Sequence, residues 1–334
     1  MVNILPLIYN SFQKNSTDYF EEMLPSLDNY LSFGTPNLKE SREFQSMMFN
    51  IIQQVFSQVD AGEAEYVRAC QLSESFLLNL SSIDEIIPKF IDLALNVLNN
   101  FDAIKTTSYK VQCIEIVVNC IYNNPIVALS YLDSRQALLS FFGLWKNNLG
   151  NFKRVHDKRL AILTICKLIW IDFRGIDRME LLACLVSLFD GYKEALEERE
   201  RMDAMYNGGE SEDDDEYDEM ESDNEDSDFE DDVQDDDDEY LKYLKESAAN
   251  RANEDDEEDD DDEDEWGVSG LEEDPYFVTI LDKIDPHIVF QDTLGKLTVE
   301  DQNMFAGSLT EAQRAVLDNV ILAAVAGRQK ATSN

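Results

Sequence analysis

Few side chains in this sequence could do chemistry. His156 and His287 are the only histidines among its 334 residues. His156-Asp157-Lys158-Arg159 has the make-up of a general base beside a carboxylate. It reads better as a polar turn opening a helix that begins near Leu160. The five cysteines are Cys70, Cys113, Cys120, Cys166 and Cys184, and none forms a C-x-x-C pair. Cys113 and Cys120 lie seven apart on one helix face. Small buried thiols are therefore expected rather than a metal site or a disulfide framework, and odd, scattered cysteines suit a reducing compartment. There is no glycine-rich phosphate loop, no nucleophile elbow and no zinc motif. Catalysis, a metal and a cofactor are not expected.

Carboxylates are abundant but badly placed for acid–base work. Residues 210–265 hold 34 Asp and Glu against Lys242, Lys245 and Arg251, which leaves only −12 of the chain's −43 charge for the other residues. A solvated run of this kind lacks the burial that separates the pKa values of a catalytic pair. It suits binding instead. Asp213, Asp214, Asp215, Asp235, Asp236, Asp237, Asp238, Asp255, Asp256, Asp259, Asp260, Asp261 and Asp262 are candidate contacts for basic proteins, which a dense negative charge attracts over long range. DNA, RNA and anionic membranes are poor partners, because binding them relies on Lys and Arg meeting phosphate. Ser211, Ser222 and Ser227 precede acidic residues and suit acidophilic kinases. Tyr240, Leu241 and Leu244 interrupt the run as an apolar cluster. A short helix over 239–249 and an anchoring role are expected of them. When no basic partner is bound, the run is expected to fold back on a basic cluster of Lys153, Arg154, Lys158 and Arg159.

The elements around these residues read as helical. Ile87, Phe90, Ile91, Ala94 and Leu98 form one apolar stripe; Val111, Ile114, Val118 and Ile121 form another. Ile162, Ile165, Cys166 and Ile169 form a third, and Leu182, Leu185, Val186 and Phe189 a fourth. The period is helical, and no alternation suggests strands. Asp84 is placed to cap a helix over 85–98. Asn124 precedes Pro125 as a cap before a first-turn proline. Thr298 with Asp301 and Thr310 with Gln313 resemble capping boxes. Helix starts near 18, 40, 63, 84, 106, 125–135, 155 and 176 give a pair about every forty residues, the spacing of HEAT-type arrays. A plain helical bundle is the simpler alternative. The last helix is expected over Glu311–Ala326, ending at Gly327.

Several stretches then carry a resemblance. They are Asp18-Tyr19-Phe20 with Met23-Leu24-Pro25 and Asn29-Tyr30; Tyr122-Asn123-Asn124-Pro125; His156-Asp157-Lys158-Arg159; Glu239-Tyr240-Leu241; and Leu309-Thr310-Glu311-Ala312-Gln313-Arg314. In this order, with the acidic run between them, the chain resembles the C-terminal part of the importin-β superfamily (karyopherins), in the branch of importins seven and eight. The resemblance implies a HEAT-repeat α-solenoid that imports basic cargo, ribosomal proteins and histones, through the nuclear pore. It also implies contact with Phe-Gly repeats and control by the GTPase Ran. The family's main Ran-binding region lies in N-terminal repeats that this chain is expected to lack. Localisation is expected in cytoplasm and nucleus, shuttling at the nuclear envelope.

The expected organisation is all-α: a HEAT-like solenoid over 1–202, a disordered acidic insertion over 203–270, C-terminal helices over 271–327 packing back on the solenoid, and a disordered tail over 328–334. The competing functional reading is an acidic histone chaperone without transport activity.

Overall fold

The computed structural model describes residues 4–15, 19–58, 61–207 and 278–333. All of them lie in one compact unit made of Met1–Gly208 and Gly267–Asn334. The described residues are helical and contain no strand. The helices are α1 (Ile4–Asn15), α2 (Phe20–Phe33), α3 (Thr35–Glu40), α4 (Arg42–Phe56), α5 (Glu63–Asn79), α6 (Ile87–Leu98), α7 (Thr107–Asn123), α8 (Pro125–Ser134), α9 (Leu138–Asn147), α10 (Val155–Leu168), α11 (Arg178–Asp190), α12 (Tyr192–Asn207), α13 (Pro286–Lys296), α14 (Val299–Ser308) and α15 (Glu311–Ser333). A 3-10 turn, Ile280–Lys283, precedes α13.

The caps show why several helices start where they do. Asn124 accepts the Val127 N–H while Pro125 fills the first position of α8, where a missing N–H costs nothing. Asp285 accepts from His287 and Ile288 ahead of Pro286. Thr298 caps α14, and Thr310 and Gln313 cap α15 reciprocally. Asp84 does not cap. α6 begins at Ile87 without a side-chain cap, and Asp84 accepts from Asn124 Nδ2 at 2.9 Å instead. Its carboxylate ties two repeats together rather than ending a helix.

Two layers of helices stack in register. One layer runs α2, α5, α7, α10, α13, each packed on the next. In the other, α1 meets α4, α6 meets α8, and α11 meets α15. Within a layer the helices are parallel. Glu63 at the start of α5 accepts from the N–H groups of Lys105 and Thr106 at the start of α7. At the far ends Asn123 donates to the carbonyls of Leu77 and Leu80. Because the chain reverses through α6 between them, the two layers run in opposite directions. The repeat also shows in the hydrogen bonds. Gln13 with Gln54, Asn119 with Glu74, Tyr131 with Asp92 and Lys167 with Tyr122 stand 39 to 45 residues apart. This is the helix-pair stacking of a HEAT-type array.

All four apolar stripes are buried. Phe90 meets Phe49 edge-on at 5.0 Å and Phe76 at 5.3 Å, which locks α4, α5 and α6 together. After α10 the repeat spacing breaks. The next contacts, His156 with Thr279 and Arg159 with Asp282, span 123 residues. The segment from Val278 onward therefore occupies the place of the next repeat. Phe290 of α13 packs on Phe189 of α11 at 5.1 Å, and His287 lies 5.6 Å from Tyr192. Val320 and Ala324 of α15 are buried, while Leu317 packs at the margin of the core.

α15 runs past Gly327 to Ser333. Gly327 is not a left-handed stop. A Cβ there would lie 2.7 Å from Asp285 Oδ2 and 3.4 Å from Ile288. The glycine lets α15 approach α13 closely, and residues that favour helix continue beyond it.

Candidate functional site

α7 carries Ser108, Gln112, Glu115 and Asn119 at spacings of four, three and four, so they share one face. All four are buried. The face meets Glu74 of α5 and the start of α10. Arg154 donates from Nε to Asp157 Oδ1 at 2.8 Å, and from Nη2 to both Asp157 Oδ1 at 2.7 Å and Glu115 Oε2 at 3.2 Å. The Gln112 amide lies beside Arg154, and turning its oxygen toward the guanidinium lets it accept from Nη2 at 2.7 Å. His156 bridges Glu74, 3.1 Å from Nε2, and Thr279, 3.5 Å from Nδ1. Asn119 donates to Glu74 at 3.4 Å. Burial opposes the charge on Arg154, but Asp157 and then Glu115 outweigh it and hold the guanidinium firmly protonated.

The chain of contacts continues outward. Asp282, in the 3-10 turn, accepts from Thr279 N at 2.7 Å, pairs with Arg159 of α10, and lies 3.1 Å from Arg199 of α12. Arg159 also donates to the Tyr192 hydroxyl at 3.1 Å. One carboxylate thus joins α10, α12 and the 3-10 turn ahead of α13.

This corrects two expectations. The His156–Arg159 stretch is not a polar turn ahead of a helix that begins near Leu160 but part of the first turns of α10, with His156, Asp157 and Arg159 buried. Nor is Lys153, Arg154, Lys158 and Arg159 a surface patch. Lys153 is exposed and Lys158 half-buried, but Arg154 and Arg159 are buried in ion pairs. They have no charge left over for an acidic run to meet.

A cavity of about 180 Å³ opens between α9 and α11, walled by Leu139, Phe142, Trp145, Ile176, Leu181 and Cys184. Gly175, at φ +92°, turns the incoming loop, and a Cβ there would sit 2.9 Å from Leu139 Cδ2. The Lys146–Glu180 ion pair stands at the rim. An apolar interior with a few polar groups at its edge suits an inserted side chain rather than a reaction.

The acidic residues Asp213, Asp214, Asp215, Asp235, Asp236, Asp237, Asp238, Asp255, Asp256, Asp259, Asp260, Asp261 and Asp262 lie outside the described residues. So do Tyr240, Leu241, Leu244, the helix expected over 239–249, and Ser211, Ser222 and Ser227. Among the described residues, no group of three or more His, Cys, Asp or Glu side chains could hold a metal ion. No described helix is long and apolar enough to cross a membrane. The buried polar face of α7 was not anticipated. Its signal was the polar spacing opposite the Val111–Ile121 stripe, which reads equally well as a solvated face.

Stacked helix pairs spaced by some forty residues define a helical-repeat protein of the HEAT type. The chain's likeness to curated importins over about half its length supports an assignment to the importin-β superfamily. It is 29% identical to a probable importin-7 homolog of Dictyostelium discoideum over 173 residues, 51% of this chain and 16% of that protein. It is 26% identical to importin-8 of Homo sapiens over 213 residues, 60% of this chain and 20% of that protein. The importin beta-like SAD2 homolog of Arabidopsis thaliana is likewise 26% identical over 213 residues. The chain spans about a fifth of the length of these relatives or less. No family model matches it, and no solved structure matches it.

Proposed function

We propose that this chain is a nuclear import receptor segment that binds basic protein cargo such as ribosomal proteins and histones, and that it is not an enzyme. The observation that carries the reading is the likeness to importins in a chain whose helices stack as HEAT-type pairs. The acidic run of 210–265 is the cargo contact. Exposed ion pairs contribute only about 0.2–1 kcal/mol each, so affinity comes from their number and weakens as salt screens them. Phosphate on Ser211, Ser222 or Ser227 would deepen the charge. The α9–α11 cavity takes a Phe side chain of the pore's Phe-Gly repeats. Ran regulation and shuttling between cytoplasm and nucleus belong to the same reading.

The test is to titrate linker histone against the chain and against a 210–265 deletion at two salt concentrations, and a Phe-Gly peptide against Leu139→Asp. Weaker histone binding with a shallower salt slope in the deletion, and lost Phe-Gly binding in the exposed Leu139 variant, are expected. Unchanged histone binding by the deletion would reduce the run to a solubilising segment. Histone binding by a chain that takes up no Phe-Gly peptide would favour a chaperone without transport activity.

A further inference from the structure

Three carboxyl groups and one guanidinium meet where α5, α7 and α10 join. Glu74, Glu115 and Asp157 are each at most 2% exposed, and Arg154 is 8% exposed. A single nitrogen, Arg154 Nη2, touches both Glu115 Oε2 and Asp157 Oδ1. Asp157 is fully engaged, with Oδ2 accepting from the Arg154 N–H at 3.2 Å. Glu115 is not. Among the described residues its Oε1 is buried and has no donor. A buried carboxylate oxygen that no protein donor reaches is costly to keep charged. Two carboxyls around one cation need not both be ionised, because sharing a proton removes one charge and turns the orphan acceptor into a donor.

We propose that one proton, shared between Glu115 and Asp157, locks the junction of α5, α7 and α10. The groups facing it are Glu74 and Cys70 from α5 and Arg154 from α10, with His156 of α10 behind them against Glu74. Burial, and then the Asp157 charge, push the Glu115 carboxyl well above its usual range, with Arg154 pulling the other way. The unfolded chain releases this proton once pH exceeds the ordinary carboxylate range, while the native joint keeps it. Stability from this group is therefore fully present at acid pH and is lost as pH rises through the folded value. The joint lies at the centre of the stack, so its protonation sets how firmly three successive repeats hold together.

Infrared spectroscopy of the full chain at neutral pH tests the proton directly. A protonated-carboxyl stretch is expected in the wild type, with its loss in both Glu115→Gln and Asp157→Asn. Absence of the band in the wild type, or its survival in both variants, overturns the proposal. Glu115→Gln keeps the shape of the protonated acid, so its melting temperature should match the wild type at about pH 5 and stay level toward pH 8 while the wild type declines. Parallel pH profiles for the two proteins would overturn it as well.

Discussion

Asp282 accepts from two arginines and from the turn that it closes. Replacing it with Ala removes the carboxylate that Arg159 and Arg199 share in a half-buried site. We expect Asp282→Ala to cost about 3 kcal/mol, read as a lowered urea midpoint at constant slope. The pH response follows from the same contacts. Burial pushes the Asp282 carboxyl up, but the Thr279 N–H and then Arg159 outweigh it and hold it below its usual range. The hydrogen bond from His287 does the same for Asp285 against burial. Their contribution is present above the ordinary carboxylate range and is lost as pH falls through the folded values. Asp282→Asn should therefore flatten the fall of melting temperature on the acid side. At this scale the sequence was only half legible. Capping by Asn124, Thr298 and Thr310 could be read because a cap is local. The Arg154–Asp157–Glu115 contact could not, because nothing within a few residues of Arg154 says that α7 brings a carboxylate 39 positions away.

Helix positions were the most legible feature. Starts expected near 63, 106, 125–135 and 155 fall at Glu63, Thr107, Pro125 and Val155, because the apolar period and the first-turn residues point the same way. The end of α15 was misjudged because glycine is ambiguous. It stops a helix when it turns left-handed, and it permits close packing when it stays helical, as Gly327 does against Asp285. Gly327→Leu should thus weaken the seating of α15 on α13 by roughly 1–3 kcal/mol through overpacking, despite leucine's better helix propensity. Melting temperature checks it. α13 is held by Phe290, which is fully buried against Phe189. Phe290→Ala should cost about 3–5 kcal/mol, with amide exchange rising in α13 and α15 before α5 or α7, since the outer elements of a stack contact fewer neighbours.

At the scale of the whole molecule, charge and fold are separated along the sequence. The stack is built from an ordinary apolar pattern, and most of the −43 lies between residues 210 and 265. Removing 210–265 should change salt-dependent binding far more than it changes melting temperature, whereas removing 278–333 should lower melting temperature by uncovering α10 and α11. The pinning of Asp282 to Arg199 and Arg159 also gives the chain a mechanical property. The residues between Arg199 and Asp282, 83 positions along the chain, lie in parallel with the α10–α13 seam, not in series with it. A stretching force applied at the two ends is carried by the seam, and the intervening chain bears load only once that contact ruptures. A single molecule pulled between its termini should then lengthen abruptly by up to roughly 270–300 Å, the contour of those positions at about 3.3–3.6 Å each, and the Asp282→Ala variant should release that length at a lower force.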